Sequence, residues 1–170
     1  FLVVYGDTFF DIDLGSFWKF HQDQAGDASI FLHPNDHPYD SDLVEVNPDL
    51  QVQKIHPYPH DNQWRQNLVN AAVYMFNKNA LQGIDFVSNR PDIAKELFPL
   101  MLESEKKLYG YISTEYIKDM GTPERLSKVE RDINSGKVKS LKKQTSKIAI
   151  FLDRDGTINQ EVNHLSSQDQ

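Results

Sequence analysis

The chain has no cysteine in its 170 residues, which excludes a disulfide framework and any thiolate zinc site. It also lacks an apolar run approaching the roughly 20 residues that span a bilayer, so no membrane segment is expected. Basic residues are in the minority, 18 against 25 acidic. That balance argues against general nucleic-acid affinity, and a phosphorylated substrate would need a metal ion or local cations to approach. Self-similarity at a solenoid period is absent too. A cytoplasmic enzyme fits these exclusions best. The sequence opens inside an apolar run without an initiator Met and stops soon after another such run, near Asp153. It therefore reads as an internal piece of a longer polypeptide, most of one domain's second half and then the opening of another.

What the chain does have is a repeated design in which an apolar run delivers a carboxylate. The opening stretch FLVVYGDTFFDIDL is apolar to Tyr5, breaks at Gly6 and presents Asp7. A short run rich in Val and aromatics and closed by glycine predicts a buried strand ending in a tight turn. Open α/β sheets bind ligands beyond the carboxyl ends of their strands, so Asp7 stands where chemistry is usually done. The alternative is an Asp that only satisfies turn amides.

Leu14, Phe17, Trp18 and His21 recur at helical spacing up to Gly26. Strands are expected at 29–32, 43–46, 52–55 and 108–113, the middle two pairing around Asn47, Pro48 and Asp49. The run LVNAAVYMF at 68–76 is continuous enough for a central strand buried on both faces. Helical spacing at 92–101 should bend or end at Pro99. From Thr122 the helix signals agree: a capping threonine, Pro123 in the first turn, Leu126, Val129 and Ile133 on one face, and Gly136 at the stop. Asp119 then falls on the turn ahead of that helix. Residues 137–147 carry five lysines and predict a solvated tether. His33 and His37, like His56 and His60, are four apart, but the prolines between them oppose a helix, so a zinc site is not expected.

The strongest local signal is Asp153, Arg154, Asp155, Gly156, Thr157 directly after the apolar run 148–152. Two carboxylates two residues apart at a strand end can divide labour, one attacking phosphorus while the other carries the leaving group's proton. Gly156 lets backbone turn close to a phosphate, and Thr157 adds a hydroxyl and an amide for its oxygens. Two anions so close call for a divalent cation such as Mg²⁺ between them.

The spelling DRDGTIN resembles the first motif of the haloacid dehalogenase phosphatases, in the branch holding histidinol-phosphate and heptose-bisphosphate phosphatases. That resemblance implies Asp153 as nucleophile, Asp155 as acid/base, both as Mg²⁺ ligands, and Thr157 as a substrate contact. The larger part of the chain is similar to the sugar-1-phosphate nucleotidyltransferases, on VVYGDTFFDIDL, LVNAAVYMFN at 68–77 and YIKDMGTPERL at 116–126. The likeness implies an α/β fold with a Rossmann-like mixed sheet flanked by helices. It further implies Asp7 and Asp119 as the carboxylates holding the catalytic Mg²⁺, and Asn70 in the sugar pocket. Where many relatives carry Glu-Lys-Pro against the sugar phosphate, this chain has His56, Pro57, Tyr58, Pro59 and His60.

Together the two resemblances divide the chain into a nucleotidyltransferase domain at 1–136, a lysine-rich linker at 137–147 and the start of an α/β phosphatase domain at 148–170. They imply a bifunctional parent acting on a nucleoside triphosphate, with GTP favoured, and on a sugar phosphate of the heptose or mannose type. No nucleic-acid or membrane partner is expected, and homo-oligomerisation is left open. Two rival readings stay on the table: a degenerate, sugar-sensing module beside a phosphatase, and a non-catalytic interaction scaffold.

Overall fold

The structure, a computed structural model, describes residues 1–35, 38–61, 63–86 and 89–146. Strand β1 (Leu2–Val4) and strand β2 (Thr8–Asp11) are separated by the turn that carries Gly6 and Asp7. Helix α1 (Leu14–Gln24) starts where the Asp13 carboxylate accepts from the Ser16 amide at 2.9 Å and the Ser16 hydroxyl at 2.8 Å. Such a cap supplies a partner that the first helical turn lacks. Strands β3 (Ala28–His33), β4 (Leu43–Val46), β5 (Val52–His56) and β6 (Val69–Phe76) follow. A wide helical turn (Ile93–Leu97) then leads into α2 (Phe98–Glu103), β7 (Leu108–Ile112), β8 (Tyr116–Asp119), α3 (Pro123–Asn134) and the short α4 (Lys137–Ser140).

Among the described residues, six strands form one mixed sheet. Its path is β5-β4-β6-β3-β7, with β1 also paired to β6. In this sheet, among the described residues, only β3 and β7 run parallel; the other pairings are antiparallel. The continuous apolar run of β6 makes it central, as its sequence predicts. Its alternate residues serve two cores. Tyr74 and Phe76 join Ile30, Leu32, Phe98 and Met101 on one face. Ala71, Val73 and Met75 join Phe31, Tyr111 and Phe17 of α1 on the other. Full burial of a large apolar side chain such as Phe17 or Phe98 stabilises by roughly 1.5–3 kcal/mol, so helices are held to both faces.

Three local expectations are revised and one is met. Asp119 does not lie on a turn but is the last residue of β8, which pairs antiparallel with β2 as a separate two-stranded ribbon that the sequence did not reveal. Strand β1 is not buried on both faces, since Phe1 and Leu2 are exposed. The break expected at Pro99 is present as a change of helix type: the wide turn ends at Leu97, Pro99 sits in the first turn of α2, and upstream the Leu97 amide reaches the Asp92 carbonyl at 3.0 Å. A proline ring clashes with the carbonyl four residues back, and widening by one residue relieves that clash. Finally, residues 137–146 are not a loose tether: Val138 is buried against Tyr116 and Val129, and Leu141 packs beside them.

Candidate active site

The β2–β8 ribbon explains how two acids far apart in the chain can meet. Thr8 lies opposite Asp119 in its register, and the Met120 amide donates to the Asp7 carbonyl at 2.7 Å. Both carboxylates then converge over Gly121. A Cβ at Gly121 would lie 3.1 Å from Asp119 Oδ1 and 3.3 Å from Asp7 Oδ2. The Gly121 amide donates to Asp119 Oδ1 at 2.5 Å, and the Arg125 guanidinium donates to Oδ2 at 2.6 Å. Arg125 is delivered by the first turn of α3, where its own amide donates to the Thr122 hydroxyl at 3.3 Å. The threonine cap and Pro123 expected from the sequence therefore also place a cation beside Asp119.

Asn70 of β6 lines the same cleft as Asp7 and Asp119, an open cavity of about 290 Å³. Its amide donates to the Asp42 carbonyl at 3.0 Å, and its side-chain Oδ1 accepts from the Ala72 amide at 3.1 Å. That local bond accompanies a left-handed backbone at Ala72, φ 57°, in a strand otherwise extended. The Ala72 carbonyl in turn accepts from the Tyr5 amide at 3.2 Å. Floor and rim are thus tied together by main-chain bonds, and the Asp7 turn is fixed relative to Asn70. Beneath the floor, burial raises the Tyr74 hydroxyl pKa well above the ordinary phenol value, and burial raises that of Tyr5 as well. Both phenols stay protonated at neutral pH and can act as donors.

Sequence reasoning missed several residues of this cleft, among them Tyr5, His33, Asp42, Lys118 and Arg125. His33 ends β3, so the rule about strand ends that singled out Asp7 could have found it. Arg125 had a signal too, as the basic residue in the first turn of the helix that follows Asp119. Lys118 and Asp42 carried none. The cleft has four carboxylates, Asp7, Asp40, Asp42 and Asp119, against the cations Lys118 and Arg125. Phosphates would be repelled from such a surface without an added positive charge.

The donor set around Gly121 suits a hard divalent cation, which prefers oxygen ligands and keeps positions for water and phosphate. Among the described residues there is no cluster of three or more His, Cys, Asp or Glu side chains that could hold a metal. Asp7 and Asp119 would therefore supply the protein ligands, with phosphate and water completing the shell. His56 and His60 are engaged locally, His56 Nε2 lying 3.3 Å from Glu45 Oε2 and His60 Nε2 3.1 Å from the Ser41 carbonyl. Asp153, Asp155 and Thr157, with the rest of the DRDGTIN stretch, lie outside the described residues, as does His37. Among the described residues no helix is long and apolar enough to cross a membrane.

Known proteins resemble this chain in sequence and in fold. Residues 1–136 match the family model of the nucleotidyl transferases. Mannose-1-phosphate guanylyltransferase of Mycobacterium tuberculosis is 27% identical over 136 residues, covering 79% of this chain and 37% of that protein. Glucose-1-phosphate adenylyltransferase of Bacillus cereus is 26% identical over 139 residues, covering 78% and 36%. Among solved structures, HddC from Yersinia pseudotuberculosis superposes with a TM-score of 0.62 at 20% identity, over 78% of this chain and 55% of that one. A putative glucose-1-phosphate thymidylyltransferase from Bacillus anthracis gives 0.61 at 16% identity, over 76% and 52%. The mixed α/β sheet flanked by helices is shared with these structures. The chain spans little more than a third of the length of the curated relatives it matches.

Proposed function

The chain belongs to the nucleotidyl transferase family, and from that premise we propose that its parent protein transfers a nucleotidyl group from a nucleoside triphosphate to a sugar 1-phosphate. The observation that carries the reading is the convergence of Asp7 and Asp119 on Gly121, in a cleft that also holds Asn70, Lys118 and Arg125. In the reaction a phosphate oxygen of the sugar 1-phosphate attacks the α-phosphorus. The bond from α-phosphorus to its bridging oxygen breaks, and pyrophosphate leaves with that oxygen and its electron pair. Such transfers need little covalent help from protein, and alignment with charge neutralisation supplies most of the catalysis. A Mg²⁺ held by Asp7 and Asp119 would neutralise charge on the phosphoryl oxygens.

The chain's own residues do the rest. Asp119 is held by the Gly121 amide and by Arg125, with Oδ1 beside Gly121, which Asp7 Oδ2 also approaches. Lys118 and Arg125 offset the four carboxylates where phosphates would lie. Asn70 presents an amide group for a sugar hydroxyl, its Oδ1 already held by Ala72. Domain limits follow the sequence: transferase to residue 136, linker to 147, phosphatase from 148. The DRDGTIN motif supports a second activity in the parent, with Asp153 as nucleophile, Asp155 as acid/base, both holding Mg²⁺ and Thr157 contacting phosphate. That half would remove one phosphate of a sugar bisphosphate, leaving the 1-phosphate that the transferase half consumes. Heptose or mannose 1-phosphate with GTP is our first choice of substrates. The relatives' names span guanylyl, adenylyl and thymidylyl transfer, so the assay must vary the base.

The test is pyrophosphate release by the full-length parent, with Mg²⁺, each common nucleoside triphosphate and a panel of hexose and heptose 1-phosphates. Turnover with at least one pair is expected. No turnover with any pair overturns the proposal.

A further inference from the structure

The lysine-rich segment beyond the family match is fastened to the ribbon that carries the two acids. Lys142 Nζ pairs with Asp11 of β2 at 3.0 Å. The Gln144 side-chain amide donates at 3.0 Å to Oδ2 of Asp13, the cap of α1. Lys143 makes three contacts. Its ammonium sits 4.3 Å from the Tyr111 ring centroid and also bonds the Tyr111 hydroxyl, while its main-chain amide donates to Glu115 Oε1 at 3.3 Å. Glu115 stands immediately before β8 and is only 3% exposed. Its other donors are the Asp13 amide at 3.1 Å and the Ser113 hydroxyl at 3.0 Å.

A buried carboxylate is costly unless its oxygens are satisfied, so the Lys143 main-chain amide helps keep Glu115 where it is, while the ammonium holds Tyr111. The ribbon needs such help. Two short strands alone are marginal in water, and these two are not even joined by a hairpin. Asp11 pairs with Tyr116 at one end of the ribbon and Thr8 with Asp119 at the other. The segment clamps the first end; the acids lie at the second.

We propose that residues 137–146 are a brace for the catalytic ribbon, with Lys143 a positioning residue whose main-chain amide holds Glu115 and whose ammonium, through Tyr111, acts on the placement of Asp7 and Asp119. The inference rests on the reading of those two acids as the metal-holding pair. It also makes the junction to the second domain a mechanical part of the first.

The experiment compares full-length protein with its Lys142→Ala/Lys143→Ala/Gln144→Ala variant, and with the Lys142→Ala/Lys143→Arg/Gln144→Ala variant. Amide hydrogen exchange is read at 8–11 and 116–119, and at β6 as a control. Loss of the brace is expected to speed ribbon exchange about tenfold while β6 stays protected, and to raise half-saturating Mg²⁺ for pyrophosphate release about threefold or more. Arg at 143, keeping a cation over Tyr111, should recover most of both. Unchanged ribbon exchange, equal acceleration in β6, or no recovery with Arg overturns the brace. Should wild type release no pyrophosphate with any substrate, the transferase reading fails while the exchange measurement still decides whether the ribbon is braced.

Discussion

Gly121 matters for what it does not carry. A methyl group there would stand 3.1 Å from Asp119 Oδ1 and 3.3 Å from Asp7 Oδ2, closer than nearly all side-chain contacts. Gly121→Ala is therefore expected to spread the two carboxylates and to lower turnover by roughly a hundredfold, the scale of a misplacement near 1 Å. Melting temperature should hardly change, because the site is exposed and nothing in either core is touched. Asp7→Asn removes one charge with little change of shape, and turnover should fall at least as far with the fold intact. Steady-state kinetics beside a thermal melt checks both. If Asp7→Asn lowers stability and spares the rate, Asp7 is a structural residue. At this scale the sequence was informative: an acid after an apolar run and an acid ahead of Gly-Thr-Pro marked both positions. The partners Lys118 and Asp42 were invisible, since neither spacing nor residue type distinguishes them from ordinary surface charges.

At the level of elements, the large strands and helices follow from apolar period, capping and turn chemistry, and the two strands of the ribbon do not. TFFD and YIKD are too short to show alternation, and their pairing joins segments from opposite ends of the domain. Only the fold can establish it. Helix α2 illustrates a local rule that the sequence breaks. The Lys106 amide donates to the Met101 carbonyl and the Glu105 amide to the Leu102 carbonyl, both within 3.0 Å, with Glu105 at φ 57°. That is a Schellman ending whose left-handed position usually holds glycine. Glu105→Gly should stabilise the protein by roughly 1 kcal/mol, the cost of a left-handed side chain that glycine avoids. The check is a rise in urea midpoint at constant slope. A fall would mean that the Glu105 side chain makes a contact worth more than the relieved backbone.

For the molecule as a whole, buried titratable groups set the pH range in which the fold holds. His21 is 3% exposed, its Nδ1 is 2.9 Å from the Ser29 hydroxyl, and burial lowers its pKa below the ordinary 6.5. The unfolded chain therefore binds a proton that the native state refuses, and stability falls as pH drops below about 6.5. Asp13 and Glu124 act at lower pH. The Ser16 amide and hydroxyl hold Asp13 below 3.8, and main-chain bonding at the start of α3 holds Glu124 below 4.5. Their stabilisation is present above those values and lost as pH falls through the folded ones. On the alkaline side the sign reverses. Burial raises Tyr74 and Tyr116 above 10.0, with Tyr116 also donating to Asp132 at 2.9 Å. Native phenols keep protons that the unfolded chain releases, so stability falls above about pH 10. Urea midpoints across pH should form a plateau from about 7 to 9 with a first acid step that begins below about 6.5. The variant His21→Gln is expected to remove that first step and leave the alkaline limb in place. A wild-type curve flat from about pH 7 to 5 would show that His21 protonates in the folded state as readily as in water.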